Sequence, residues 1–359
     1  MINLDDQSVY KTPPTLLSAI TSISQFPQQL EQAWSESSVL QFPDNFKKAQ
    51  RILVCGMGGS RFTPLAVKEL FKQELKVPYV INDDYTIPGW VGPETLVILS
   101  SYSGTTEEVL ACAEIAKTKK ALVTGVTLGG PLANLLRQSD DKSPFYQFIP
   151  THNPSNQPRI GVGYMVAGHI GIAYATGLLP IQASEVEKAI TNMAKTLKLY
   201  NITVPKAENE AKKLAELIYQ KYPYIITSEF LQGFGNCFAN GLNETGKSIS
   251  SPRVIPELNH HLMEGLTFPN TLKSIGLFLF FVSTLYDLRI QKRFAITKEV
   301  VEKNGLQTYW HEMKGKTKIE QLFAAIGFGS WVTMYLSVLY QQDPTAIPWV
   351  DYFKKQLAQ

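Results

Sequence analysis

Cysteine is scarce in this chain of 359 residues. The three present, Cys55, Cys112 and Cys237, are odd in number and far apart. That excludes a disulfide framework and points to a reducing compartment. Cys55 ends an apolar strand pattern, so burial is expected for it. A large charge excess is also missing: the net charge is +3 and charged residues make up 18%. Such a balance gives no reason to expect nucleic acid and does not oppose an anionic metabolite. Histidine is sparse. His152, His169 and His311 show no metal-ligand spacing, and the adjacent His260 and His261 would face different ways on a helix, so no metal site is expected. The first residues, Met1-Ile-Asn-Leu-Asp-Asp6, are acidic and no apolar run follows, so no signal peptide is expected and the cytoplasm is the expected location. A charge-free stretch of membrane-spanning length does occur at 322–340. It holds Gly327, Gly329, Ser330, Thr333 and Ser337, which predicts a buried helix, a subunit contact being one setting for it, and no membrane partner.

What is present is an ordinary globular composition, 44% apolar, in a chain long enough for two domains. Residues 14–49 read as helical. Strand and helix patterns then alternate: strands at 51–55, 77–81, 95–99, 121–124 and 146–149, helices near 60–74, 105–118 and 131–139. Alternation of this kind predicts an α/β fold, a parallel sheet with helices on both faces, whose ligands bind at the carboxyl ends of strands. Residues 150–180 are rich in Pro and Gly. A helix is expected from Ser184, with Ser184 as N-cap and Glu187 three residues on. A second alternating unit follows: helix 206–221, strand 224–227, helix 237–249, a central strand with a helical flank in 275–285, helix 297–303, strand 306–310, and helices 317–341 and 349–357. Its element order echoes the first unit at a separation of roughly 170 residues, which predicts two copies of one fold with a site between them. The expected divisions are 1–154, a helical connector 155–205, and 206–359.

Two strand ends carry the chemistry. The first runs into Gly56-Met57-Gly58-Gly59-Ser60, the second into Ser100-Ser101-Tyr102-Ser103-Gly104-Thr105-Thr106-Glu107-Glu108. Hydroxyls and free N–H groups at helix N-termini make a cradle for a phosphate monoester. A dinucleotide fingerprint would need glycine where Arg61 stands, and a Walker loop would need a Gly-Lys-Ser/Thr that is absent. An ordinary Ser/Thr-rich turn with an N-cap would explain the second loop alone; its pairing with the first loop at a neighbouring strand end argues for an anion site.

With these two loops, Pro158-Arg159, Asn243-Glu244 and Pro256-Glu257-Leu258-Asn259-His260, the sequence resembles the sugar isomerase (SIS) superfamily and, within it, the bifunctional phosphoglucose/phosphomannose isomerase family. The order and spacing cover nearly the whole chain. The resemblance implies two SIS domains, each a doubly wound, flavodoxin-like parallel sheet flanked by helices. It implies interconversion of glucose 6-phosphate, and mannose 6-phosphate as a further substrate, with fructose 6-phosphate through a cis-enediol. It also implies a homodimer with the site near the subunit interface, a hexose 6-phosphate substrate, and neither metal nor cofactor. Carried over by motif, Gly59, Ser60, Ser101, Ser103 and Thr106 match the phosphate site. Arg159 matches the arginine beside the enediolate, Glu244 the base, and His260 the ring-opening histidine, which in relatives can come from the partner subunit. Lys354 matches the family's late lysine, with Lys355 as the alternative.

The chemistry wants these types. Histidine, which ordinarily titrates near pH ~6.5, suits proton exchange between ring oxygen and anomeric hydroxyl. A carboxylate can carry a proton between C1 and C2, and a fixed guanidinium stabilises the charge on the enediol oxygens. Bland alternatives stand beside each role. Glu244 would by default be an exposed helical residue, Arg159 could pair with a surface acid, and Lys354 would be solvated. Glu257 is either a second acid near the site or a partner for Arg253. Two departures from the family pattern bear on the substrate wall: Arg61-Phe62-Thr63-Pro64 after the first serine, where Arg61 adds charge or points to solvent, and His261-Leu262 after His260. Competing functions are a non-catalytic phosphosugar sensor and a ketosamine-phosphate isomerase like that half of glucosamine-6-phosphate synthase. Against the sensor, residues 1–50 hold no basic helix-turn-helix; against the ketosamine enzyme, no N-terminal nucleophilic cysteine is present.

Overall fold

Leucine- and β-branched-rich runs build the first sheet. In the computed structural model, which describes residues 1–138 and 143–357, these are β1 (Arg51–Gly56), β2 (Tyr79–Asn82), β3 (Thr95–Ser100), β4 (Leu122–Thr127) and β5 (Tyr146–Gln147). They lie parallel in the order β2-β1-β3-β4-β5. Side chains alternate between two cores. Ile52, Val54, Leu96 and Ile98 enter the large central core, whereas Leu53, Cys55, Val97 and Leu99 meet helices Glu107–Thr118 and Gly130–Arg137 through Val109, Cys112, Leu132 and Leu136. With both faces covered, the strands need no polar alternation, which is why they read as continuous apolar runs.

The second sheet contains β6 (Tyr222–Thr227), β7 (Ser251–Val254), β8 (Gly276–Val282) and β9 (Gln307–Glu312), parallel in the order β7-β6-β8-β9. Numbered within its own half, each sheet places its second strand outside the first and its third inside. The expected duplication is therefore present in topology, and the fold is α/β with two parallel sheets flanked by helices.

Between the sheets lies a helical layer. Helix Phe26–Ser37 packs on Val162–Ala175, Gly59–Leu70 packs on Gln232–Glu244, and Lys318–Leu339 packs on Ala183–Leu197 and Glu210–Ile218. Lys318–Leu339 is long and apolar enough to cross a membrane by composition, yet almost every residue of it is buried inside this one chain.

The Pro/Gly-rich stretch 150–180, which overlaps the expected helical connector, contains the helix Val162–Ala175, buried over nearly all its length. Several other elements differ from the sequence reading. The helix expected from Ser184 starts at Ala183 after Gln182, with no side-chain cap, so Ser184 is not the N-cap. The helix expected at 237–249 is Gln232–Glu244. It leaves room for β7, which the reading lacked. The helix expected at 297–303 begins at Leu288. Residue 139 of the expected helix 131–139 lies outside the described residues.

Candidate active site

Both hydroxyl loops leave adjacent strands at their carboxyl ends, and hydrogen bonds stitch them together. A Cβ on Gly56 would stand 2.3 Å from the Ser60 carbonyl oxygen, so the chain can turn this tightly only with glycine there. Ser60, in the first turn of helix Gly59–Leu70, accepts the Tyr102 N–H on its Oγ at 3.0 Å, which leaves its own hydroxyl proton free to donate. Its carbonyl accepts the Ser100 hydroxyl at 2.7 Å. Behind Ser100 stands the fully buried His169, 2.9 Å away through Nε2. Ser100 spends its proton on Ser60, so the His169 Nε2–H is the donor, and Nδ1 is left unprotonated and without a partner. Burial pushes the His169 pKa down to about 3, which keeps the ring neutral.

In the second loop Ser101 turns inward. Its Oγ accepts the Gly104 N–H at 3.0 Å and lies 2.7 Å from Thr106 Oγ1. Ser103 and Thr105 face outward, their hydroxyls 2.8 Å apart. Thr106 precedes helix Glu107–Thr118 and makes no side-chain cap, so the first-turn N–H groups keep their capacity for an anion.

Both loops line a cavity of about 710 Å³, through Gly59, Ser60, Ser103, Thr105, Thr106 and the first-turn Glu107 and Glu108. Arg159, Glu244 and Lys354 line the same cavity. The volume suits a small phosphorylated sugar. A separate space of about 30 Å³ beside Arg159 is water-sized. Of the residues singled out in sequence, Ser101 and His260 are not in the lining. Ser101 is buried and holds the loop's shape, and His260 is exposed on the short turn Glu257–His260. Lys355 is also outside the lining.

Arg159 and Glu244 face each other, Nη1 to Oε2 at 3.8 Å. That is too long for a hydrogen bond, so neither exhausts the other. Arg159 is fixed instead by Gln157 Oε1 at 2.9 Å and by the carbonyls of Pro344 and Thr345, each at 2.8 Å. Its buried Nε has no protein partner. Burial lowers the Arg159 pKa, opposed by Glu244. Burial raises the Glu244 pKa above the usual carboxylate value, opposed by Arg159, Lys247 and Lys354.

Other residues complete the site without a local signal. Asn153 donates to Tyr102 Oη at 2.8 Å and to the Gln157 carbonyl at 3.0 Å, which links the phosphate loop to the arginine. Lys247 donates to the Glu244 carbonyl at 2.6 Å and to the Ala346 carbonyl, pinning the end of helix Gln232–Glu244 to the segment before the last helix. A cation just past a helix C-terminus is the one sequence signal that could have marked it. Arg61 pairs with Asp83 and does not line the cavity. Glu257 lies 3.9 Å from His261, not against Arg253. Among the described residues, no group of three or more His, Cys, Asp or Glu could hold a metal.

Family profiles match most of the chain. A profile described as the bacterial phospho-glucose isomerase C-terminal SIS domain matches residues 207–357, and the SIS domain profile matches 45–140. A bifunctional phosphoglucose/phosphomannose isomerase of Caldicellulosiruptor bescii is 28% identical, over 94% of this chain and 98% of its own. One from Thermoplasma volcanium is 28% identical, over 89% and 96%. The chain carries SIS domains in both halves and is similar over nearly its whole length to bifunctional phosphoglucose/phosphomannose isomerases. It is a phosphosugar isomerase. The isomerase also shares its fold with a Thermus thermophilus protein of solved structure (TM-score 0.75, 16% identity, 98% of this chain and 92% of that one). A second match is the C-terminal domain of glucosamine-fructose-6-phosphate aminotransferase from Francisella tularensis (TM-score 0.70, 13% identity, 94% and 99%).

Proposed function

We propose that the isomerase interconverts glucose 6-phosphate and fructose 6-phosphate in the cytoplasm through a cis-enediol, with mannose 6-phosphate as a further product. The carrying observation is one cavity lined both by outward hydroxyls at a helix N-terminus and by a half-buried carboxylate 3.8 Å from a buried guanidinium. The phosphate sits on Ser60, Ser103, Thr105 and Thr106, with the uncapped helix turn adding its partial positive charge. Ser101 supports those groups from behind. Glu244 takes the proton from one of C1 and C2 and returns it to the other. Its burial makes it a stronger base than a free glutamate. Arg159 stabilises the developing enediolate charge. Lys354 adds positive charge in the same cavity. A planar enediol has lost the configuration at C2, so return of the proton to the opposite face gives the mannose epimer. His260, outside this cavity, opens the sugar ring from the partner subunit of a homodimer.

A coupled assay tests this, with fructose 6-phosphate offered, chelator present, and glucose and mannose 6-phosphates measured separately. Glu244→Gln is expected to lower turnover about 10²- to 10⁴-fold while calorimetry still shows substrate binding. Full activity in that variant removes Glu244 as the base. No product from the wild type leaves a sensor.

A further inference from the structure

Helix Leu288–Lys303 carries Arg289, Lys292 and Arg293 close to its start. At spacings of three and four residues these side chains share one face, where like charges repel. They also stand at the end of the helix whose dipole disfavours cations. None of the three forms an ion pair among the described residues. The helix cap is separately satisfied, since Asp287 accepts the Arg289 N–H at 2.7 Å. The three cations line a cavity of about 330 Å³ together with Asn259, Met263, Ile296 and Thr297, and no acid lines it. Its polar wall is preset: Arg293 donates to Asn259 Oδ1 at 3.2 Å, and Asn259 donates to Thr297 Oγ1 at 2.7 Å. No residue is shared between this lining and that of the catalytic cavity.

We propose that this pocket is a second anion site, which takes a compact phosphate monoester. Two guanidinium forks and an ammonium suit a dianionic phosphoryl group, and Met263 and Ile296 offer an apolar wall to the carbon skeleton it carries. A bound dianion relieves the repulsion that the free helix face sustains. The lining shares no residue with the catalytic cavity of the same chain, though Asn259 adjoins His260, which the proposed function gives to the partner subunit's cavity.

The test uses the full-length protein and inorganic phosphate as the probe. Ser60→Ala/Ser103→Ala/Thr105→Val/Thr106→Val, which removes the four catalytic-cavity hydroxyls, is heated with phosphate and with chloride at matched ionic strength. The expected result is a residual phosphate-specific rise in Tm. Adding Arg289→Gln/Arg293→Gln weakens the apparent affinity by about tenfold or more, and Arg289→Lys/Arg293→Lys restores part of it. The arginine positions are exposed or half-exposed, and unfolding without phosphate verifies that each variant folds. The proposal is overturned if the rise vanishes in the four-hydroxyl variant alone or if the glutamine pair leaves the apparent affinity unchanged. It also fails if the glutamine pair shifts sedimentation from dimer to monomer with the phosphate response intact, which would make this face a subunit contact.

Discussion

Glu244 is held between opposing influences: burial raises its proton affinity, while Arg159, Lys247 and Lys354 lower it, and burial wins. A base works only when ionised, so the acid limb of kcat/KM should lie at higher pH than a free glutamate would give. Lys354 is solvent-exposed, so Lys354→Met should fold normally. It removes one stabilising charge from the carboxylate, and the acid limb should move further toward high pH. A pH–rate profile of both proteins checks the sign, and a limb that moves down or stays fixed removes Lys354 from the neighbourhood of the base. Several of these residues were legible in sequence because they sit in short motifs at strand or helix ends: Ser60, Ser103 and Thr106 in the loops, Arg159 after Pro158, Glu244 after Asn243. Asn153, Gln157 and Lys247 were not. Their partners include Tyr102, Arg159 and Ala346, and no local pattern encodes a hydrogen bond to a carbonyl 99 residues away. Ser101 and Ser103 looked equivalent in sequence; the direction of the turn at Gly104 (φ 73°) separates them, one inward and one outward.

At the scale of elements, glycine left the reading coarse. Residues 150–180 read only as rich in Pro and Gly within an expected helical connector, and of Gly161, Gly163, Gly168 and Gly171 three lie inside a buried helix. There they allow close approach: a Cβ on Gly171 would meet Ser37 Oγ at 1.9 Å, and one on Gly163 would meet Gln29 Cβ at 2.6 Å. β7 was missed for a related reason. Pro252 disguises it, and proline is tolerated because β7 is an edge strand. Gly233 has the largest mechanical consequence. It lies where helix Gln232–Glu244 crosses Gly59–Leu70, and an added Cβ would stand 2.1 Å from Ala66 Cα. One of these helices ends in Glu244 and the other begins beside Ser60, so their spacing sets the distance between the proposed base and the proposed phosphate grip. Gly233→Ala should cost about 1–3 kcal/mol of stability and lower kcat with it, read by urea unfolding and by the coupled assay. Gly265→Ala, where a Cβ meets nothing within 4 Å, is the control and should change neither. An unchanged kcat in Gly233→Ala would mean that the spacing of the two helices does not govern catalysis.

At the scale of the whole molecule, one chain gathers the hydroxyls, Arg159, Glu244 and Lys354 but leaves His260 exposed and outside their cavity. A two-fold dimer resolves this if each cavity takes His260 from the other subunit, because a symmetric interface repeats the same exchange twice. Two individually crippled proteins then repair each other. On the proposed roles, Glu244→Gln lacks the base and His260→Ala lacks the ring-opening group. In a mixed dimer, one cavity pairs a glutamine with an alanine and is dead. The other keeps its own Glu244 and receives an intact His260. With random exchange about half the dimers are mixed and one of their two cavities works, so activity should return to about a quarter of wild type. The two variants are mixed, unfolded and refolded together, and assayed against each refolded alone. If His260 instead served its own chain, every mixed dimer would hold one defect per cavity, and mixing would restore nothing.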